Sequence, residues 1–530
     1  MQKHSKTATD LVAMSASEMA RQVAQGQVTS VELVEAHIER IRVVNPRINA
    51  LVIQRFDQAR AEAAAVDQAR QRGEPLGPLG GVPITVKECF HLTGTPATEG
   101  VHRFAKETHS ADNPLVRRLR KAGAIVLGKT NLPQLMVLHE ADNPVYGRTN
   151  NPWDLDRGSG GSSGGEAAII AAGGSPLGLA NDIGGSIRQP AHSCGVCGLK
   201  PTTLRLTNAG VRDNLRGLEA IRTQCGPLAR GVDDLFLAMR VLSAVEPDEF
   251  DAQALPAPLG DPAAVRVEGL RIGFWTDDGF FRASPALRRA VSDAAEALRQ
   301  RGAHVEPFTP PDITQAVRLF FNLVTADGAA DARRVLGDSP RDWRIRQLVQ
   351  LGSSPAWLRW ILGSTMGVLG QPRTAFLLSA IGGCSADRYW QLCTARAEFA
   401  ERFFRKWSDA RLDAVLCPPH SLPAMRHGTT GDLSLAASYC YWANVLGVPA
   451  GVVPATLVRA GEESDRPASR DRVERAARAA EIGSVGLPVG VQVAGHPWRE
   501  DVVLAVMKAL ESHFQAQADF PRTPVRPAGA

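Results

Sequence analysis

The sequence predicts an α/β fold built as one large domain, and three observations carry that reading. Short apolar runs of strand character alternate with amphipathic stretches of helical period, as in NPLVRRLRKAG followed by AIVLG, and LRIGFWTDD followed by ALRRAVSDAAEALRQRG. Hydrophobic residues make up 44% and charged residues 22% of the 530 positions, the balance of a chain that buries a core. No clear linker divides the chain, so its length is read as one unit with insertions.

The elements follow in chain order. Ser15-Ala-Ser-Glu18 and Thr29-Ser-Val-Glu32 fit the S/T-x-x-E capping box, and each opens an amphipathic helix, the second being VELVEAHIERIRVVN. Residues 1–78 are thus expected to be a helical segment packed on a core spanning 79–515. In that core GGVPITVKECF (80–90) reads as a short buried strand entering a turn, and 270–278 and 411–419 as further strands. Residues 286–302 and 501–514 have helical period, and VGLPVGVQVAG (485–495) reads as a strand pair or a bend. Between 459 and 481 an Arg/Glu-rich excursion suits a surface loop or exposed helix. Residues 516–530 form a tail whose last ten positions are expected to fray.

Several function classes lose support at once. A net charge of +5 over 530 residues, without a block of like charges, supplies no footprint for nucleic acid. The eight cysteines are scattered, so a disulfide framework is not expected. Cys194 and Cys197 have metal-ligand spacing but no second pair at zinc-ribbon distance, and a packed small-residue turn is the better reading. Nothing here calls for a metal or cofactor. The first twenty residues lack an apolar h-region, and no run of 18 apolar residues occurs, so a cytoplasmic chain without a membrane span is expected.

Two motif matches fail on context. Gly123-Ala-Ile-Val-Leu-Gly-Lys129-Thr130 has Walker A spelling, but its four middle residues are the strand itself, so they cannot curl around phosphate. Gly123 instead caps the preceding helix. Gly160-Gly-Ser-Ser-Gly164 matches a nucleophile elbow, yet no apolar strand precedes it.

The glycine- and serine-rich stretch 156–202 is no linker, because its glycines alternate with apolar residues (AAIIAAGG, PLGLA, DIGGSI). Gly184 and Gly185 before Ser186 leave successive N–H groups able to point at one spot, as an oxyanion hole requires. A serine nucleophile needs a base, and His192, the one histidine nearby in sequence, is better read as structural.

GGSSGGEAA, then DIGGSIRQPA, then CGLKPT, with GVPITVK upstream, resemble the amidase signature family of serine hydrolases over nearly the whole chain. The resemblance implies a central twisted mixed sheet covered by helices on both faces. It implies a Ser–cis-Ser–Lys triad in which Ser186 is the nucleophile, Ser162 the bridging serine after a cis peptide, and Lys87 the base. The N–H groups of Ile183, Gly184, Gly185 and Ser186 match an oxyanion hole, and Ser163, Asp182 and Arg188 match supporting positions. Lysine can serve as a base only when neutral, and the apolar run Pro-Ile-Thr-Val before Lys87 would bury its stem and depress its pKa.

Within the family the wording is most similar to the fatty acid amide hydrolases, which implies a hydrophobic amide substrate, such as a fatty acid amide or N-acyl ethanolamine. Met136 then matches a channel-lining position. Residues 343–384 carry no acidic side chain and hold Trp357, Trp360, Ile361, Leu362 and Met366 among arginines, as expected of two short apolar helices. They are read as a hydrophobic helical hairpin serving as membrane or substrate-entrance cap, with Trp357 and Trp360 in the channel; a core hairpin or homodimer contact is the alternative. This places the chain in the cytoplasm with peripheral contact at the inner membrane face. A generalist aryl or short-acyl amidase is the runner-up function. The glutamine-amidase subunit of a tRNA-dependent amidotransferase is disfavoured by the apolar 343–384 segment, and a binding protein with a relic site is the non-enzymatic alternative.

Overall fold

The computed structural model describes residues 6–213, 215, 217–244 and 254–530. Its centre is a mixed sheet of eleven strands. In chain order these are β1 Leu51–Gln54, β2 Pro83–Lys87, β3 Ile125–Thr130, β4 Leu177–Asp182, β5 Cys197–Lys200, β6 Gln224–Ala229, β7 Arg271–Phe274, β8 His304–Pro307, β9 Ala414–Cys417, β10 Ala450–Leu457 and β11 Pro488–Gly495. Across the sheet the order is β1-β3-β2-β4-β6-β5-β10-β11-β9-β7-β8. Two parallel groups, β3-β2-β4 and β9-β7-β8, are joined through antiparallel pairs.

Helices flank this sheet, and alternation along the strands separates two cores. In β3, Val126 enters one cluster while Ile125 and Leu127 enter the other; in β4, Leu177 and Leu179 part from Ala180 in the same way. The second cluster is closed by helix Ser30–Ile48 through Val34, Ile38, Ile41 and Val44, together with helix Gly164–Ala171.

The Thr29 capping box is complete, and its helix extends to Ile48. At Ser15 only half the box forms: its hydroxyl caps the Glu18 N–H, while the Glu18 carboxylate turns to Arg21 and Gln22. Asp234 accepts from Ala16 N and Ser17 N instead, so a tertiary partner satisfies the helix start. Residues 1–78 are not wholly helical, since β1 adds an edge strand by pairing with β3.

Two other expectations change, and a third is narrowed to one of its alternatives. Residues 485–495 hold a single strand, β11, because β10 and β9 offer edges on either side of it. The tail is packed: Val525 N–H donates to Ala171 O (2.8 Å), and Arg40 and Arg47 donate to Val525 O (2.9 Å) and Ala528 O (3.1 Å). The 459–481 excursion ends in helix Arg472–Glu481, tied down by buried Arg466 to Glu481 (3.0 Å) and Glu474 (2.9 Å).

Candidate active site

β2 and β4 are parallel neighbours, with Thr85 opposite Gly178 and Val86 opposite Leu179. Their carboxyl ends therefore lie side by side, where open α/β sheets place functional groups. Lys87 closes β2, and Asn181 and Asp182 close β4. Helix Gly164–Ala171 follows the turn that holds Ser162, and the turn 183–187 after β4 holds Ser186.

Lys87 is fully buried, and its Nζ lies 2.7 Å from Ser162 Oγ and 2.7 Å from Asn181 Oδ1. Burial pulls its pKa down to about 8, against the opposing pull of Cys89 and Asp182. The Gly161–Ser162 peptide is cis. Gly160 just before it has φ +84°, and a Cβ there would meet Pro190 Cα at 2.7 Å, so no other residue fits this turn. Gln189 Oε1 accepts from Gly161 N (2.9 Å) and Ser186 O accepts from Ser163 N (3.2 Å), which ties the two serine-bearing turns together.

The 183–187 turn is wrapped around a carboxylate. Asp182 accepts from Gly185 N (2.8 Å) and Ile187 N (3.1 Å), and pairs with Arg188 at 3.0 Å with both side chains fully buried. Arg188 also donates to Gln492 Oε1 (2.8 Å) and Cys440 O (3.1 Å). Burial raises the Asp182 carboxyl, but the Arg188 charge and its hydrogen bonds outweigh that and hold it well below the usual carboxylate range. The Gly185 N–H, matched at the sequence level to an oxyanion hole, is thus committed to Asp182; those of Ile183, Gly184 and Ser186 are not spent on that carboxylate.

Ser162 and Asn181, the two partners of Lys87, line an apolar cavity of about 190 Å³ whose wall also includes Ser186. Met136 lines it, with Phe320, Phe321, Val324 and Tyr441. Phe320 and Tyr441 stack at 4.1 Å over Gly184, where a Cβ would meet Phe320 Cζ at 2.7 Å. Trp357 and Trp360 do not line it and are 64% and 72% exposed, a correction to their expected place. The segment 343–384 folds as three helices rather than two, Trp343–Ser353, Ala356–Val368 and Pro372–Ala380, and it reaches the cavity through Ile345, Val349 and Leu377.

Sequence reading missed three polar neighbours. Asn181 contacts the lysine; the signal was its place beside Asp182 at a strand end. Glu166, pushed up to about 7 by burial, bonds Thr85 and Thr130 beneath Lys87, and Thr85 lies two residues before the lysine on its strand. His139 lines the cavity, donates from Nε2 to Gly184 O (3.2 Å), and is pulled down to about 4 by burial, which leaves it neutral. His192 is structural, held by Leu422 O and Gly490 N. Cys194 and Cys197 are both free thiols, bonded to different carbonyls.

A family model for amidases matches residues 32–504. The chain belongs to the amidase signature family. This amidase is 33% identical over 509 residues to fatty-acid amide hydrolase 1 of Sus scrofa, covering 94% of this chain and 86% of that one. It is 32% identical over 514 residues to indoleacetamide hydrolase of Bradyrhizobium diazoefficiens, covering 94% and 86%. A solved fatty acid amide hydrolase superposes with a TM-score of 0.83 at 26% identity, covering 96% of this chain and 86% of that chain. The amidase is an amide-bond hydrolase, and among its described residues no helix is long and apolar enough to cross a membrane.

Proposed function

We propose that this amidase cleaves hydrophobic fatty acid amides or N-acyl ethanolamines through an acyl-enzyme on Ser186, with Ser162 as proton relay and Lys87 as base. The observation that carries the reading is the buried Lys87–Ser162 pair beside an apolar cavity that Ser186 also lines. A lysine with its pKa near 8 is a competent base from neutral pH upward.

In this scheme Lys87 takes the Ser162 hydroxyl proton as Ser162 takes that of Ser186, and Ser186 Oγ bonds to the amide carbon. The carbonyl π electrons move to oxygen, where N–H groups of Ile183, Gly184 and Ser186 receive the charge. Collapse breaks the C–N bond, and the proton returns from Lys87 through Ser162 to the leaving nitrogen. Water then adds to the acyl ester, giving its proton to the same relay, and the acid departs as Ser186 is reprotonated. Ser163, Asp182 and Arg188 hold the turns in register.

The apolar wall from Met136 to Val349 supports a greasy acyl group. Peripheral contact with a lipid surface is supported by the outward Trp357, Trp360 and Val368 near the helices that reach the cavity. The similarity to indoleacetamide hydrolase favours a second reading, an amidase of aryl or short acyl amides. A panel of N-acyl ethanolamines, primary fatty amides and aryl amides, with Ser186→Ala as blank, separates them. Highest kcat/KM on long-chain amides upholds the first; preference for aryl or short amides overturns it.

A further inference from the structure

We propose that Asn181 is a positioning residue of this amidase: its side-chain oxygen holds one N–H of Lys87 so that the amine lone pair faces Ser162. The inference rests on the proton relay proposed above. A neutral amine has two N–H donors and one lone pair, and rotation about its C–N bond exchanges them. A carbonyl oxygen can only accept, so Asn181 Oδ1, 2.7 Å from Nζ, claims an N–H and removes that freedom. The lone pair is then left for Ser162 Oγ at 2.7 Å, the direction that a base needs.

The orientation of the amide is set from its other side. Asn181 Nδ2 faces Cys89 Sγ at 3.7 Å and Met136 Sδ at 3.9 Å, both weak acceptors. A reversed amide would turn its oxygen onto two sulfurs and its N–H onto the amine, consuming the lone pair. Asn181 is itself held on β4 opposite Cys225, and its carbonyl accepts from Ser163 Oγ (3.4 Å). Asn181 and Met136 both line the cavity. The ionisable groups that act on Lys87 are Cys89, Asp182, Cys225, Asp213 and Glu166.

The test is the pH dependence of kcat and KM from about pH 5 to 10 for the full-length wild type, Asn181→Asp, Asn181→Leu and Lys87→Ala, on a chromogenic hydrophobic anilide. Asn181→Asp keeps the shape but adds negative charge, so the acid limb should move up by about one pH unit or more. Asn181→Leu removes the acceptor, so plateau kcat should fall about tenfold or more with KM within about twofold, and the acid limb should move down. Acid limbs that stay where the wild type has them overturn the proposal, whether or not rate is lost, because a merely structural role lowers rate without moving the limb. If Lys87→Ala is inactive while those limbs are unmoved, the positioning role alone fails; if Lys87→Ala keeps the wild-type profile, the relay fails and takes Asn181 with it.

Discussion

Residues 157–202 and helix Ala356–Val368 invert the usual distribution of polarity in opposite senses. In the first, every residue but Ile183 is buried, although the stretch holds six serines, Asp182, Arg188 and Glu166. In the second, Arg359 is the buried side chain, while Trp357, Trp360, Ile361 and Val368 face outward. Burying polar groups costs free energy unless each is partnered, and here the partners are supplied: Asp182 by two N–H groups and Arg188, Lys87 by Ser162 and Asn181. Exposing apolar groups costs less per residue and is repaid only by something that covers them. The first region is thus a closed, internally partnered core and the second an open surface, and the helix that precedes the second in the chain is anchored by Arg344. Arg344 ties helix Trp343–Ser353, which lines the cavity, to Asp142 (2.8 Å), Asp342 (2.6 Å) and Glu140.

Each arm of that contrast can be broken separately. Ser186→Ala should lower kcat by at least about a thousandfold and abolish fluorophosphonate labelling, with the fold intact by circular dichroism; near-wild-type turnover would remove Ser186 from the chemistry. Activity should be full above the Lys87 value of about 8 and fall about tenfold per pH unit below it, because the base is lost as its amine gains a proton. A flat profile through that range would place the base elsewhere. Arg344→Met should destabilise by about 3–5 kcal/mol in urea melts, since it strands buried carboxylates without their cation; an unchanged midpoint would show that these ion pairs do not hold helix Trp343–Ser353 in place. The smallest effect on the fold belongs to the outer surface. Trp357→Ser with Trp360→Ser should change stability by no more than about 0.5 kcal/mol, yet reduce flotation with anionic liposomes. Equal flotation of variant and wild type would count against a lipid contact.

Much of the reactive centre was legible because its motifs are local. Gly160 and Gly185 adopt positive φ and Gly184 lies against Phe320, so the glycine spelling of two tight turns survives as a recognisable word. Asn181 went unread because its importance is a distance to Lys87, 94 positions away in the chain. The tail was misread for a similar reason: its polar, proline-rich composition suits fraying, but Arg40 and Arg47 lie elsewhere in the chain and satisfy its carbonyls.

By itself, then, the sequence determined the family and which residues share a face. Helical period places 357, 360, 361 and 368 on one stripe and 359, 362, 363 and 366 on the other. Only the tertiary structure decided which stripe meets the protein, and it chose the one with Arg359 and Gly363, which turns toward Ala375 and Leu378 of helix Pro372–Ala380. Periodicity is a property of one helix, whereas the direction in which a face points depends on what packs against it.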